Sequence, residues 1–244
     1  MQNIYDKLPG KFSTNDGTID FYLRVRSVIQ KSHIILDLGA GAGDWFNNKS
    51  NIKMIKDIQF IKKEVKKVFA ADIDKAVLKN RSSHKNILIK NNKIPLKSNS
   101  VDIIISDWTL EHVETPKLFF KEANRVLKKS GKICIRTPHK YNYVSLINTL
   151  TEGTDFKNFL LKKSQPGKKD AFKSYYKINT FRDIKKLFKN YQIEYFIFNI
   201  DPAYHFNSKI IYNFFKIIHV IMPLFFVGII YCILTKKKTI NIYY

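Results

Sequence analysis

The chain has 244 residues, of which 45% are hydrophobic and 14% aromatic, so its length fits one elaborated α/β domain and its composition excludes a wholly disordered chain. Its formal net charge is +23, but only six of its 43 basic residues are arginine, the residue preferred for phosphate and guanine recognition. Lysine, asparagine, isoleucine, phenylalanine and tyrosine all have A/T-rich codons, so genome composition supplies one explanation of the charge and a purposeful basic surface another.

The cysteine count and the N-terminal sequence indicate the compartment of the protein. Cys134 and Cys232 are too few for a disulfide framework or a cysteine-based zinc site, and they indicate buried thiols in a reducing compartment. Residues 1–11 lack the apolar segment of a secretory signal. We therefore expect a cytoplasmic protein.

The first part of the chain begins with a turn-like Leu8-Pro9-Gly10 and a helix over Thr18–Gln30, an N-terminal helical cap within residues 1–31. From Ser32 onward the pattern alternates as in βαβ units. Strands buried on both faces are predicted at His33–Leu38, Val68–Ala71, Ile87–Ile89, Val101–Ser106 and Lys132–Arg136. Helices are predicted at Lys53–Lys67, Lys75–Lys79 and Pro116–Lys128, the last ended by Ser130-Gly131.

A long lysine-rich insertion follows this core of residues 32–139. Lys140–Tyr176 is weakly periodic and most loop-like at Gln165–Lys169, and insertions of this length are usually functional or disordered. Regular structure resumes with a helix over Thr180–Lys189, capped by Thr180, and a strand at Ile193–Ile200.

The C-terminal part contains an apolar stretch of 25 residues, Ile210–Leu234, long enough to span a bilayer. Lys216 interrupts it, and a lysine at the centre of a span costs about 2.5–3.5 kcal/mol. On a helix, Ile210, Phe214, Ile217, Ile218 and Ile221 lie opposite Lys209, Asn213 and Lys216. An amphipathic helix at residues 208–222 followed by a buried strand at Val227–Leu234 explains the stretch; an interfacial membrane helix and a true span are the alternatives.

A glycine-rich loop follows the first core strand. Its sequence is Asp37-Leu38-Gly39-Ala40-Gly41-Ala42-Gly43-Asp44, where alternating glycines let the backbone turn tightly and approach a ligand. A purely structural strand-to-helix turn is the alternative. In the dinucleotide fingerprint the third glycine comes one residue later, at the position of Asp44, so a pyrophosphate site is disfavoured.

The next strand ends in acids. Ligands of open α/β sheets lie beyond the carboxyl ends of the strands, where a carboxylate can accept both hydroxyls of a ribose. Asp72 is the better candidate, because Asp74 has the position of a cap for the following helix. An ordinary strand-end acid is the alternative for Asp72.

Ordered motifs over residues 30–140 resemble the class I S-adenosylmethionine-dependent methyltransferases, and most closely their broad type 11 group. They are Ile34–Asp44, the strand ending at Asp72, Asn91–Asp102, Ile104–Val113 and Gly131–Pro138. The resemblance implies a Rossmann-like α/β fold: a seven-stranded, mostly parallel sheet with helices on both faces, whose last strand inserts antiparallel between the fifth and sixth. It also implies S-adenosyl-L-methionine as cofactor, whose positive sulfonium and ammonium favour a carboxylate such as Asp37.

The positions that match the family's cofactor motifs are Asp37, Gly39, Ala40, Gly41, Gly43, Asp72, Ile73, Asn91, Asn92 and Asp107. The interval between the first two strands is longer than is usual in the family, so its helix is extended or interrupted. The family commonly has an acid after the third strand to accept the adenine amino group. This chain has Asn91 and Asn92 there, and an asparagine carbonyl can still accept that hydrogen bond.

Two histidines follow strand ends on the cofactor side. Methyl transfer needs alignment of donor and acceptor and sometimes removal of a proton, so His112 and His139 are the candidate bases. A structural role is the alternative for each. Glu111 and Glu114 beside His112 make only a weak case for a divalent ion, and no metal site is predicted.

The insertion, residues 140–178, lies where this fold builds its substrate cover, and residues 179–244 complete a single domain with helix and strand elements. The tyrosines and lysines of the insertion suit an anionic acceptor such as a glycosyl phosphate or a lipid-linked intermediate. The alternative is that the insertion is a mobile loop. We predict a methyltransferase acting on a small molecule or glycan, with peripheral contact at the inner membrane surface as one option.

Two other functions stay open. An RNA or DNA methyltransferase is suggested by the charge, but Ser106–Thr109 lacks the Asp/Asn-Pro-Pro-aromatic tetrad of the nucleic-acid amino-methylating enzymes. The second alternative is a non-enzymatic, membrane-associated protein that retains the cofactor fold.

Overall fold

The computed structural model describes residues 9–13, 15–47, 52–157, 159, 172–202, 205–206 and 208–237. Seven strands of this part form one sheet: β1 (Ile34–Leu38), β2 (Lys67–Asp72), β3 (Lys85–Leu88), β4 (Val101–Asp107), β5 (Leu127–Pro138), β6 (Tyr191–Phe198) and β7 (Ile229–Lys236). Their order is β3-β2-β1-β4-β5-β7-β6, and β7 pairs antiparallel with both β5 and β6. The predicted sheet, including the insertion of its last strand, is confirmed.

Helices connect the strands: α1 (Gly17–Val28), α2 (Asp44–Asn47), α3 (Lys53–Gln59), α4 (Pro116–Val126), α5 (Tyr143–Leu150), α6 (Phe181–Leu187), α7 (Lys209–Ile221) and α8 (Leu224–Val227). Single 3-10 turns lie at Pro9–Lys11, Lys75–Lys79 and Leu110–His112. The predicted cap at Thr180 is confirmed, since its side chain accepts the Asp183 N–H at the start of α6.

Two apolar layers pack on opposite faces of the sheet. Side chains alternate along a strand, so Leu36 joins the layer under α4 and α6, whereas Ile35 joins the layer under α1. Both side chains are fully buried. The continuous apolar sequence of the central strands therefore reflects burial on both faces, as predicted.

Four predicted helices end earlier than expected, and those over Thr18–Gln30 and Thr180–Lys189 end two residues early, at Val28 and Leu187. The helix expected over Lys53–Lys67 ends at Gln59; residues 60–66 are irregular, and Lys67 pairs with Ile34 as the first residue of β2. The helix expected over Pro116–Lys128 ends at Val126, because the buried Leu127 pairs with Val101 in β5. Ser130-Gly131 was wrongly interpreted as a helix stop.

Gly131 instead permits a close strand contact. A Cβ on it would lie 2.9 Å from the Asp102 carbonyl oxygen and 2.7 Å from Leu127 Cδ1. The register of β5 against β4 also shifts between Val101 and Ile103. The glycine therefore serves this irregular strand pairing.

The insertion contains regular structure that its weak periodicity did not predict. Helix α5 begins after Asn142, whose side chain accepts the Val144 N–H. The loop-like Gln165–Lys169 lies outside the described residues.

The apolar C-terminal stretch contains the predicted helix, α7, and the predicted buried strand, β7, but the short α8 lies between them and the strand begins at Ile229 instead of Val227. None of the helices in the described ranges has the length and apolarity needed to cross a bilayer. Cys134 in β5 and Cys232 in β7 are both buried free thiols, as expected.

Candidate cofactor and acceptor site

The glycine loop between β1 and α2 packs tightly at two of its three glycines. Gly39 has φ +87°, and a Cβ there would lie 2.2 Å from Thr109 Oγ1. Gly43 has φ +68°, and a Cβ there would lie 2.7 Å from Asn80 Oδ1. These two glycines are needed by the protein's own packing.

Gly41 differs from both. It has φ +51°, and a Cβ on it would meet no described atom within 4 Å. The Asn80 side-chain amide donates to the carbonyl oxygens of Ala40 and Gly41 at 3.2 and 3.1 Å, and these hydrogen bonds hold the loop backbone in place. The loop therefore presents an open stretch of backbone that a ligand can approach.

Asp72, at the end of β2, lies directly beside this opening. Its Oδ2 accepts the Gly41 N–H at 2.8 Å, and its Oδ1 accepts the Asp74 N–H at 3.0 Å. Each carboxylate oxygen has a second lone pair, so the group can still accept ribose hydroxyls. Asp74 caps the 3-10 turn by accepting the Ala76 N–H, as predicted. The neighbouring Ile73 side chain is 69% exposed, an apolar surface suited to one face of an adenine.

Carboxylates also end β1 and β4. Desolvation, together with the negative charges of Asp107 and Asp72, raises the pKa of Asp37 to about 7. Asp107 is held by Arg136 of β5, whose Nε and Nη2 donate to its two oxygens at 2.6 and 2.8 Å. Arg136 thus pairs with one of three neighbouring carboxylates, Asp107, and this acidic end of the sheet suits a ligand with positive charge.

Asn91 and Asn92 lie in an exposed turn after β3. Their φ angles are +51° and +54°, and the flanking Lys90 and Lys93 form an isolated antiparallel bridge. Asparagine tolerates this left-handed conformation better than most residues, so the turn by itself explains why asparagines stand here. Their contact with adenine stays a prediction.

Comparison with known proteins agrees with this geometry. Residues 36–135 match the methyltransferase domain family. An uncharacterized protein of Methanocaldococcus jannaschii is 30% identical over 139 residues, which cover 54% of this chain and 60% of that protein. The chain thus spans about 60% of the length of this curated relative.

Two solved structures share the fold. A S-adenosylmethionine-dependent methyltransferase from Methanosarcina mazei aligns with a TM-score of 0.55 and 15% identity over 88% of this chain and 97% of its own. One from Archaeoglobus fulgidus aligns with a TM-score of 0.53 and 16% identity over 92% and 95% of the two chains. Residues 36–135 thus resemble the methyltransferase domain family, and the two solved structures share the fold of the chain. The predicted Rossmann-like fold is confirmed, and the match over residues 36–135 agrees with the predicted family, whose cofactor is S-adenosyl-L-methionine.

A second part of the candidate site lies beyond β4 and β5, and we call it the acceptor side because the acceptor is expected there. Trp108 follows Asp107 with φ +50°, which is uncommon for an aromatic residue, and its side chain is 42% exposed. The Arg136 guanidinium lies 5.5 Å from the centre of its ring. Neither Trp108 nor Arg136 was singled out from the sequence. A charged residue directly after the apolar Ile133–Ile135 was the available signal, because a charge in a buried strand requires a partner.

His112 lies on this acceptor side, in the 3-10 turn Leu110–His112. Its Nδ1 is 2.9 Å from the Lys173 carbonyl oxygen, which can only accept, so Nδ1 carries the proton in the neutral ring. Its Nε2 is 3.9 Å from Glu111 Oε1. The ring is partly exposed.

Glu111 was considered from the sequence only as a weak metal ligand. It is buried, and its Oε2 accepts the Thr137 hydroxyl at 2.9 Å. Burial raises the pKa of Glu111 to about 7, against the opposing effect of its hydrogen bonds. The site therefore holds a second carboxyl group that titrates near neutrality.

His139 is more enclosed than His112. Its Nδ1 accepts the Tyr141 N–H at 3.2 Å, and burial lowers its pKa although a hydrogen bond to the Phe225 backbone opposes the shift. The neutral ring thus connects the start of the insertion to α8. This arrangement accounts for His139 structurally, and its part in proton removal stays a prediction.

The end of the insertion packs over the acceptor side. The N–H groups of Tyr175 and Tyr176 both donate to the Glu111 carbonyl oxygen, at 2.6 and 3.2 Å. The Phe172 ring lies 5.9 Å from that of His112. Residues 172–176 therefore border His112, as a substrate cover would.

Proposed function

We propose that this domain transfers a methyl group from S-adenosyl-L-methionine to a small-molecule or glycan acceptor bound beside His112. The observation that carries the proposal is the placement of His112 between the acidic end of the sheet and the returning insertion. Its Nδ1 is oriented by the Lys173 carbonyl, and its Nε2 faces Glu111.

The cofactor half of the site is assigned as follows. The open backbone at Gly41 accommodates the ligand, Asp72 accepts its ribose hydroxyls, and exposed Ile73 contacts its adenine. Ionised Asp37 offsets the positive charge of the bound ligand. When bound, S-adenosyl-L-methionine supplies a methyl group on a sulfonium, which is a good leaving group.

His112 is the base we assign to the acceptor half. With Nδ1–H donated to Lys173, the lone pair of the neutral ring is on Nε2, where it can accept the proton of an acceptor hydroxyl or amine. A carboxylate at Glu111, 3.9 Å away, stabilises the imidazolium that results. His112 and Glu111 thus act as a base and its electrostatic partner.

Aromatic rings and lysines around His112 favour a small, anionic or sugar-containing acceptor. Phe172 is exposed beside it, and Lys173 and Lys177 both lie 5.3 Å from the centre of the Tyr175 ring. Aromatic rings offer apolar faces to a sugar, while the lysines favour an acidic group. Arg136 is occupied by Asp107, so the site has no arginine among its described residues to grip a nucleic-acid phosphate.

Calorimetric titration with S-adenosylhomocysteine is the first test. Folded protein that binds no ligand below millimolar concentration would overturn the proposal.

The second test supplies methyl-labelled S-adenosyl-L-methionine and a source-cell extract, then separates metabolites, glycans and RNA. We expect label in the metabolite or glycan fraction, and its loss in the His112→Gln variant with cofactor binding retained. Label confined to RNA would favour the nucleic-acid alternative instead.

A further inference from the structure

Helix α7 turns its aliphatic side chains outward. Five apolar residues of the helix are between 59% and 85% exposed: Ile210, Phe214, Ile217, Val220 and Ile221. We call these five residues the apolar strip. Met222, Leu224 and Phe225, directly after the helix, are also exposed. Contiguous apolar surface of this kind marks an interaction site on most proteins.

The opposite face of α7 is the one that packs on the protein. The Phe215 ring stacks on Tyr143 of α5 with ring centres 5.2 Å apart. His219 is buried, with its Nδ1 2.9 Å from Asn199 Oδ1, and the Tyr212 hydroxyl donates to Asp201 at 3.4 Å. Tyr212, Phe215 and His219 thus hold the helix, which leaves the apolar strip facing outward.

Charge indicates what covers the strip. Lys209 and Lys216 are exposed one heptad apart along one border of the strip, not opposite it as the sequence pattern predicted. Their ammonium groups can therefore reach the headgroup level of a bilayer while the strip enters it. Residues 202–228 contain these two lysines and no aspartate or glutamate, and the preceding Asp201 accepts the Tyr212 hydroxyl. The whole chain carries a net charge of +23. An anionic lipid surface complements both the strip and its border.

A second copy of the chain is a poorer match. In a two-fold symmetric dimer the same patch meets itself, so Lys209 and Lys216 of one copy would approach those of the other without any acidic residue from α7 between them. We propose that α7 docks the methyltransferase domain on an anionic lipid bilayer, with the apolar strip inserted at the interface.

The docked edge is the one that bears the acceptor side. Ile229, the first residue of β7, pairs with Pro138 at the carboxyl end of β5, and the Phe225 ring of α8 lies 6.0 Å from that of His139. Docking through α7 therefore brings the acceptor side close to the lipid surface. The docking itself goes beyond the proposed function and does not depend on which acceptor is methylated.

Vesicle flotation of the full chain tests the proposal. We expect it to float with vesicles of equal parts phosphatidylcholine and phosphatidylglycerol, and at least tenfold less with phosphatidylcholine alone. The double variant Phe214→Asn/Ile217→Asn should lose at least tenfold in partitioning. Leu118→Asn, which removes an exposed leucine from α4, is the matched control and should float as the wild type does.

Folding and cofactor binding are measured on the same samples by thermal unfolding and titration with S-adenosylhomocysteine. Both should be unchanged in the double variant, because its residues are exposed. Absence of flotation in folded, cofactor-binding wild type overturns the docking and leaves the proposed function standing. Equal flotation of the wild type and the double variant also overturns the docking proposal. The proposal is overturned as well if light scattering shows that the wild type is a dimer and the double variant is not.

Discussion

The guanidinium of Arg136 holds both carboxylate oxygens of Asp107, at 2.6 and 2.8 Å, across the carboxyl ends of β4 and β5. Arg136 is 3% exposed and also donates to the Thr18 hydroxyl at 3.0 Å, which connects α1 to the sheet. It neutralises Asp107 and also connects α1 to the sheet, so its removal has consequences beyond one hydrogen bond.

Arg136→Met should lower the free energy of unfolding by about 3–5 kcal/mol, because it leaves Asp107 as a buried charge without its partner. Urea unfolding measures the change. Arg24→Met is the control: Arg24 pairs with Asp20 on the exposed side of α1, and breaking such a pair costs about 1 kcal/mol or less. Equal losses of unfolding free energy in the two variants would contradict the claim that the Arg136–Asp107 pair stabilises the fold more than an exposed ion pair does.

Gly41→Ala should weaken binding of S-adenosylhomocysteine at least tenfold, since its Cβ would occupy the space that the ligand approaches. The left-handed conformation should also cost about 1–2 kcal/mol in stability. Gly153→Ala, at φ +76° with equally open space among the described residues, isolates that conformational cost. Calorimetry and unfolding of both variants should separate the two effects. Unchanged affinity in Gly41→Ala would mean that the ligand does not approach the loop backbone at Gly41.

Asp72→Ala should reduce affinity for S-adenosylhomocysteine at least tenfold, which corresponds to about 1.4 kcal/mol, through the loss of the ribose acceptor. Asp74→Ala removes the nearby helical cap instead and should lower stability with little effect on affinity. If the two variants bind equally well, the ribose assignment is wrong.

Asp37 should make cofactor binding depend on pH. Because its pKa in the ligand-free protein is raised to about 7, raising the pH through neutrality ionises it and strengthens its attraction for the cationic ligand. Affinity should rise severalfold between about pH 6 and about pH 8 in the wild type and stay nearly flat in Asp37→Asn. Titrations over this range decide the matter, and a pH dependence that survives in Asp37→Asn would assign it to another group.

Glu111 should make the free energy of unfolding fall as the pH rises. Its folded pKa of about 7 exceeds the ordinary 4.5, so its contribution is fully present below about pH 4.5 and is lost as the pH rises through about 7. Glu111→Gln keeps an oxygen for the Thr137 hydroxyl and should flatten the fall in unfolding free energy over this window. Glu114→Gln, at an exposed position, is the control. A wild-type slope in Glu111→Gln would refute the assignment.

The spacing of charged and apolar residues predicted most of the fold. Because β1, β4 and β7 are buried on both faces, their sequences are continuously apolar, and this pattern predicted them as strands. Gly39 and Asp72 lie at the ends of such strands, so the neighbouring sequence alone was enough to identify them as site residues. The prediction failed at Lys67 and Leu127, because the strands that claim these residues lie far away in sequence. Pairing with Ile34 and Val101 overrode their local helical pattern.

The sequence by itself thus determined the α/β class and the position of the glycine loop. The resemblance carried by its short motifs implied the cofactor and the antiparallel insertion of the last strand, since the residues of each motif are neighbours in the chain. Only the tertiary structure decided which charges meet and which surfaces stay exposed. Arg136 reaches Asp107 across 29 positions of sequence. The periodicity of α7 defined an apolar face, but packing against Tyr143 and Asn199 turned that face outward, because these partners hold Phe215 and His219 on the opposite side.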